Sequence, residues 1–273
     1  MSLSFRRKSP RSLVTLAALS AGALSLGACA HNVATETSLP ANGTALLQRM
    51  HDRYAGHWYK TLTFVQKTTQ YPPNAAPRIS TWYESLRGDR LRIDFGNPSA
   101  GNGVIYTPDS GYVFRGGKLV RSLADGNIFL PLISSVYVLP MSSTLAQLAP
   151  YHFDLSRIRS DTWEGRPAFV VGARDASDLE SPQFWVDAER LIVVRFVAPL
   201  IPNGKAKAQD IRLEKNVPVA GGWLATRVRM LDADQPLQTE EYTDWHANVK
   251  LPPHFFDPAH WSEGTHWAAS IAK

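Results

Sequence analysis

The sequence predicts a mainly β chain of the α+β kind: an antiparallel meander packed against one N-terminal helix and a helical insert in mid-chain. Three observations carry this expectation. Turn-forming pairs and triplets recur between short strand-like runs, namely Gly88-Asp89, Gly116-Gly117, Glu164-Gly165, Asp187-Ala188-Glu189, Gly221-Gly222 and Asp232-Ala233-Asp234. Several of those runs alternate apolar with charged residues, the period of a half-buried strand. One amphipathic stretch precedes them, and one long apolar, proline-punctuated stretch interrupts them.

The first element is a targeting segment. Residues 1–28 have a basic start (Arg6, Arg7, Lys8, Arg11) and an apolar run from Leu13 to Leu26 broken by Ala, Ser and Gly, the layout of a secretory signal. A spanning helix needs about 20 largely apolar residues, and this run is shorter and gives way to the polar "HNVATETS". Position 29 holds the only cysteine of the chain. Leu26-Gly27-Ala28-Cys29 resembles the bacterial lipobox, which implies a diacylglyceryl thioether on Cys29, cleavage before it, and acylation of the new amino terminus by a fatty acid such as palmitate. Ala30, in place of an aspartate after the cysteine, favours the outer membrane. Acyl chains contribute ~0.8 kcal/mol per buried methylene, so two of them anchor a protein stably.

Small and polar residues 29–43 read as a tether. A helix follows, with Asn42 or Thr44 as its cap and Leu46, Leu47, Met50, Tyr54 and Trp58 as one apolar stripe. Among the strands, "RLRIDF" sets Leu91, Ile93 and Phe95 against Arg90, Arg92 and Asp94; "DIRLEK" sets Ile211 and Leu213 against Asp210, Arg212 and Glu214; "WLATRVRM" sets Leu224, Val228 and Met230 against Arg227 and Arg229. One face is apolar and the other is expected to be wet. "RLIVVRF" is apolar nearly throughout and reads as a central strand, with Ile192, Val194 and Phe196 sharing one side. Earlier strands around Leu62–Tyr71 and Ile79–Leu86 carry Phe64 and Trp82 with weaker alternation. Residues 127–156 lack Lys, Arg and Glu and include the short helical run "SSTLAQL". They fit either a hydrophobic crossover under the sheet or a lid over a cavity.

This order of elements resembles the lipoprotein-localisation (LolA/LolB-like) superfamily of bacterial lipoprotein-sorting proteins. "WEGRPAFVV" followed by "PQFWVDAERLIVVRF" is similar to that family's hairpin, and "ALLQRM" resembles the first helix of related periplasmic families. The resemblance implies an unclosed half-barrel of about ten antiparallel strands covered by helices, spanning residues 44–262 as a single domain with 263–273 as a C-terminal tail. It also implies a hydrophobic ligand, either lipid or the acyl chain of a lipoprotein, held on the concave face. The residues placed there are Phe64, Leu91, Ile93, Phe95, Ile192, Val194, Phe196, Leu213, Leu224, Val228 and Met230, beneath a lid of Phe129, Leu132, Ile133, Tyr137, Leu145 and Leu148. Each would equally suit an ordinary core. The alternative is an assembly subunit of an envelope complex whose core is filled.

Charge and motifs narrow the classes further. The chain carries a net charge of +5, but four of its 29 Lys and Arg lie in residues 1–28, which hold no acidic residue; the remaining 25 face 24 Asp and Glu. A nearly neutral mature chain gives a nucleic-acid partner no electrostatic support. No nucleophile elbow, phosphate loop, dinucleotide fingerprint or His-Glu-x-x-His occurs, so an enzyme is not expected and neither is a cofactor. His246, His254, His260 and His266 gather near the C terminus, but their spacing and the prolines among them read as a structural or solvated cluster, not a metal site. Glu240 and Glu241 are strand neighbours, so their side chains are expected on opposite faces. A hydrolase acting on envelope polymers would need convergent His and carboxylate groups in a polar cleft.

Overall fold

The structure, a computed structural model, describes residues 38–200 and 207–270. Cys29 and the expected signal and lipidation motif lie outside the described residues. No helix among those described is long and apolar enough to cross a membrane.

Thirteen strands make one antiparallel sheet: β1 (Leu62–Gln70), β2 (Arg78–Arg87), β3 (Arg90–Phe95), β4 (Gly103–Tyr106), β5 (Gly111–Arg115), β6 (Lys118–Leu123), β7 (Ile158–Trp163), β8 (Arg166–Val171), β9 (Gln183–Asp187), β10 (Ile192–Ala198), β11 (Gln209–Val219), β12 (Gly222–Asp232) and β13 (Gln235–Ala247). There are more strands than expected because members such as the four-residue β4 are too short to display an alternation. Their spatial order is β6-β5-β4-β3-β2-β1-β13-β12-β11-β10-β9-β8-β7. The first and last strands therefore pair at the centre, from Leu62 opposite Ala247 to Gln70 opposite Gln238. The edges β6 and β7 do not pair with each other, so the half-barrel is unclosed. Register shifts at Thr63/Val65, Val193/Arg195 and Met230/Leu231 add the local twist that bulges impart.

The apolar insert runs from one free edge of the sheet to the other. It contains a π-helical turn (Pro131–Ser135), the helical turn α2 (Val136–Val138), the helix α3 (Met141–Leu148) and a 3-10 turn (Ala149–Tyr151). The N-terminal helix α1 (Gly43–Tyr54) packs on α2. Asn42 is its cap, the side-chain oxygen accepting from the Ala45 N–H at 2.8 Å. Leu46, Leu47 and Met50 are wholly buried, each contributing about 1.5–3 kcal/mol. The helix stops at Tyr54, a turn earlier than the stripe suggests, because Gly56 takes the left-handed conformation (φ 76°) and redirects the chain. Trp58 is thus a loop residue, yet it is buried and stacks on Tyr137 at 3.8 Å.

That redirected loop explains the Gly221-Gly222 turn. A Cβ on Gly221, where φ is 83°, would lie 2.2 Å from the His57 carbonyl oxygen, and one on Gly222 would lie 2.7 Å from the Trp58 ring. Gly116 has a similar φ of 54° but open space around it. Gly221→Ala should therefore lower unfolding free energy by ~1–3 kcal/mol through overpacking in addition to strain, and by more than Gly116→Ala does. Urea denaturation of the two variants makes the comparison.

The convex face departs from the expected wet surface. On β3, Arg92 and Asp94 are as buried as their apolar neighbours, because residues 255–268 cover them. Phe255, Phe256, Trp261 and Ala268 are buried, and the Trp267 indole donates to Ser85 Oγ at 2.8 Å. Of residues 263–273, expected as a tail, His266 and Trp267 bond to the sheet. Farther round, Arg195 pairs with Asp210 and lies over the Trp163 and Trp185 rings, while Arg227 and Arg229 share the buried Glu214. Paired charges replace solvated ones there.

Candidate functional site

Between the sheet and the insert lies a cavity of about 640 Å³, inside the range of roughly 300–1,000 Å³ usual for small-molecule sites. Its walls come from β1–β4, β12 and β13, and its cover comes from the end of β6 and residues 124–130 and 133. Alternation dictates the lining: on β3 the odd positions face inwards and the even positions lie beneath the C-terminal stretch.

The sequence-derived residues divide between this cavity and the solid part of the core. Phe64, Leu91, Ile93, Phe95, Leu224 and Met230 line it. Ile192, Val194, Phe196, Leu213 and Val228 are buried but do not. A correction is needed for these five: Ile192, Val194, Phe196 and Leu213 belong to the β7–β11 half of the sheet, which the insert and α1 fill, and Val228 on β12 is buried in the core beside it. Phe196, for example, is capped edge-on by the Phe129 ring at 5.1 Å. The insert divides in the same way. Phe129 and Ile133 line the cavity, whereas Leu132, Tyr137 and Leu148 are core and Leu145 is partly buried against it. The insert is thus a crossover with one edge serving as cavity wall.

Sequence reasoning missed the polar patch in this apolar wall. Glu84 lies directly between Phe64 on β1 and Ile93 on β3. It is 7% exposed, faces the cavity, and has no hydrogen-bond or ion-pair partner among the described residues. Glu240 faces the same space and is held by two donors, the Gln238 amide at 2.7 Å and the Tyr242 hydroxyl at 2.6 Å. Gln66, fully buried one strand away, donates to Thr68 at 2.8 Å and leaves its Oε1 without a partner. Glu241 points outwards to Lys67, as alternation requires. The missed signal was the shared parity of Trp82, Glu84 and Leu86; that Glu84 and Glu240 line one cavity depends on β1 pairing with β13 and leaves no local trace.

Burial pushes the Glu84 carboxyl well above its ordinary value of 4.5, and repulsion from Glu240 adds to the shift. Burial raises Glu240 as well, against the Tyr242 and Gln238 hydrogen bonds that favour its anion. Both groups hold protons in the folded state that the unfolded chain has already released, so ν_N exceeds ν_U and stability falls as pH rises above about 4.5. The depressed carboxyls, Asp94 and Asp187 among them, act in the other direction but only below their ordinary value of 3.8. Urea midpoints should accordingly fall from pH 5 to pH 8, and Glu84→Gln should flatten that slope. An equal slope in the variant would exclude Glu84 as its source.

The histidines lie elsewhere. His266 Nε2 is 3.0 Å from the buried Asp94 carboxylate, and His246 pairs with Asp244 at the surface. His254, Asp257 and His260 bring one ligand-type atom each within 4.8 Å. Both Asp257 oxygens are already engaged, one by the Ala259 N–H and one by His260 Nδ1 at 2.7 Å. Among the described residues, no histidine lines the cavity.

An open antiparallel half-barrel with a helix-covered cavity defines a class of fold seen in solved proteins. The chain matches a DUF1329 family protein from Desulfovibrio piger (TM-score 0.55, 12% identity, 79% of this chain and 95% of that one). It also matches a LolA superfamily protein from Nitrosomonas europaea (0.50, 13%, 79% and 97%) and a domain named for outer membrane lipoprotein sorting from Vibrio parahaemolyticus (0.56, 11%, 81% and 98%). No family model and no curated protein matches it. The chain shares the fold of these solved proteins.

Proposed function

We propose that this protein is a non-enzymatic lipoprotein of the bacterial envelope that holds a hydrophobic ligand, a lipid or the acyl chain of a lipoprotein, in its half-barrel. The cavity of about 640 Å³ with its predominantly apolar wall is the observation that carries the reading. A well-packed core leaves few voids larger than a water molecule, so a space of this size beneath a preformed cover suits an occupant. It speaks for ligand binding over the filled-core assembly role. The names of the structural neighbours, which include outer membrane lipoprotein sorting, agree with it. In this reading the domain faces the periplasm from the outer membrane, tied there through lipidated Cys29.

The experiment uses the full chain carrying Cys29→Ser, refolded free of detergent and titrated with a neutral environment-sensitive hydrophobic dye. Saturable uptake at one site per chain is the expected result. If the dye shows no uptake, the ligand-binding reading is lost. Separately, the unmutated chain should incorporate labelled palmitate and the Cys29→Ser chain should not.

A further inference from the structure

Holding hydrocarbon needs only burial, and the cavity wall contains more than that. A carboxyl set among Phe64 and Ile93 with no partner is costly; leucine or methionine would fill the place without penalty. The balance of donors and acceptors shows what is lacking. Tyr242 and Gln238 have directed hydrogens at Glu240, and the Gln66 amide has directed one at Thr68. What remains open to the cavity is the Glu84 carboxyl, which no donor among the described residues reaches. The one basic side chain among the described lining residues, Arg121, is on the exposed edge strand β6.

We propose, building on the ligand-binding reading, that the cavity is selective for an amphiphile bearing a protonated amine, its ammonium seated on Glu84 and its alkyl part along Leu91, Ile93 and Met230. An ammonium offers three N–H donors and one positive charge, which lets the Glu84 carboxyl, with no donor or cation of its own at that depth, release its proton to solvent and pair. A fatty acid fits worse, because its carboxyl adds a third acid to a site already crowded with two. An alcohol supplies one donor and no charge.

The test is displacement of the neutral dye at pH 7 by three ligands of equal chain length: dodecylamine, dodecanol and dodecanoic acid. The amine should displace at a concentration about tenfold or more below the acid, with the alcohol between them, as expected for charge-assisted hydrogen bonds in a dry site. Glu84→Gln should shrink the amine-to-acid ratio to about threefold or less; should that variant not fold, Glu240→Gln and the unmutated ratio decide. Equal or tighter displacement by the acid, or a ratio that survives in Glu84→Gln, overturns the inference while dye uptake keeps the ligand reading intact. Absence of dye uptake removes both.

Discussion

Arg92→Met should destabilise the fold by about 3–5 kcal/mol, the range for orphaning one partner of a buried ion pair. Asp94 is wholly buried and Arg92 is 5% exposed. The guanidinium meets the carboxylate in two bonds, Nε to Oδ2 at 2.9 Å and Nη2 to Oδ1 at 3.0 Å. Its remaining nitrogen donates to the Phe255 and Trp261 carbonyls at 3.3 and 3.2 Å, and its plane lies over both rings. Arg92 thus ties the C-terminal stretch to the sheet while it neutralises Asp94. Burial opposes ionisation of Asp94, but hydrogen bonds from His266 and Arg92, helped by their charges, hold the carboxyl below the usual range. Without Arg92, the His266 ring nitrogen at 3.0 Å is the side-chain partner left to Asp94 among the described residues. The stabilising contribution of Asp94 is present above its ordinary value of 3.8 and is lost as pH falls through the depressed folded value. Denaturant titration reads the loss, and the double variant Arg92→Met/Asp94→Leu should recover much of it. A single variant that loses under 1 kcal/mol would show that solvent reaches Asp94 and that the pair is not sealed.

Tyr137→Ala should cost a similar ~3–5 kcal/mol, the range for deleting a buried aromatic ring. The ring is 1% exposed, stacks on Trp58 with only 12° between planes, and meets Tyr54 edge-on at 5.3 Å. It joins the insert to the end of α1, where the Tyr54 hydroxyl donates to the Arg190 carbonyl of the β9–β10 turn. If this part of the insert is core, the amides of residues 136–139 should exchange only with global unfolding. Exchange through cheap local opening, or a loss near zero in the variant, would identify the segment as a lid after all.

The two readings of the insert show where sequence stops being informative. Its apolar, uncharged composition announced burial, and both a crossover and a lid need burial. The distinction rests on which residues find partners across the fold. Tyr137 meets Tyr54 of α1 and Leu132 is wholly buried in the core, whereas Phe129 and Ile133 meet the cavity. The parity of β3 was equally legible, with Leu91, Ile93 and Phe95 on one side. That Arg92 and Asp94 on the other side are dry was not, since their cover arrives from more than 160 residues away in sequence.

By itself the amino-acid sequence determined the kind of chain: an antiparallel meander with its turns placed, an amphipathic first helix, a buried mid-chain insert, and an apolar face on the strands that alternate. These are properties of period and turn chemistry, which act over a few residues. Only the tertiary structure decided which part of that apolar face is left open and that Glu84 and Glu240 share it. Both outcomes follow from the pairing of the first strand with the last, and the long-range register that sets it has no signature within either strand.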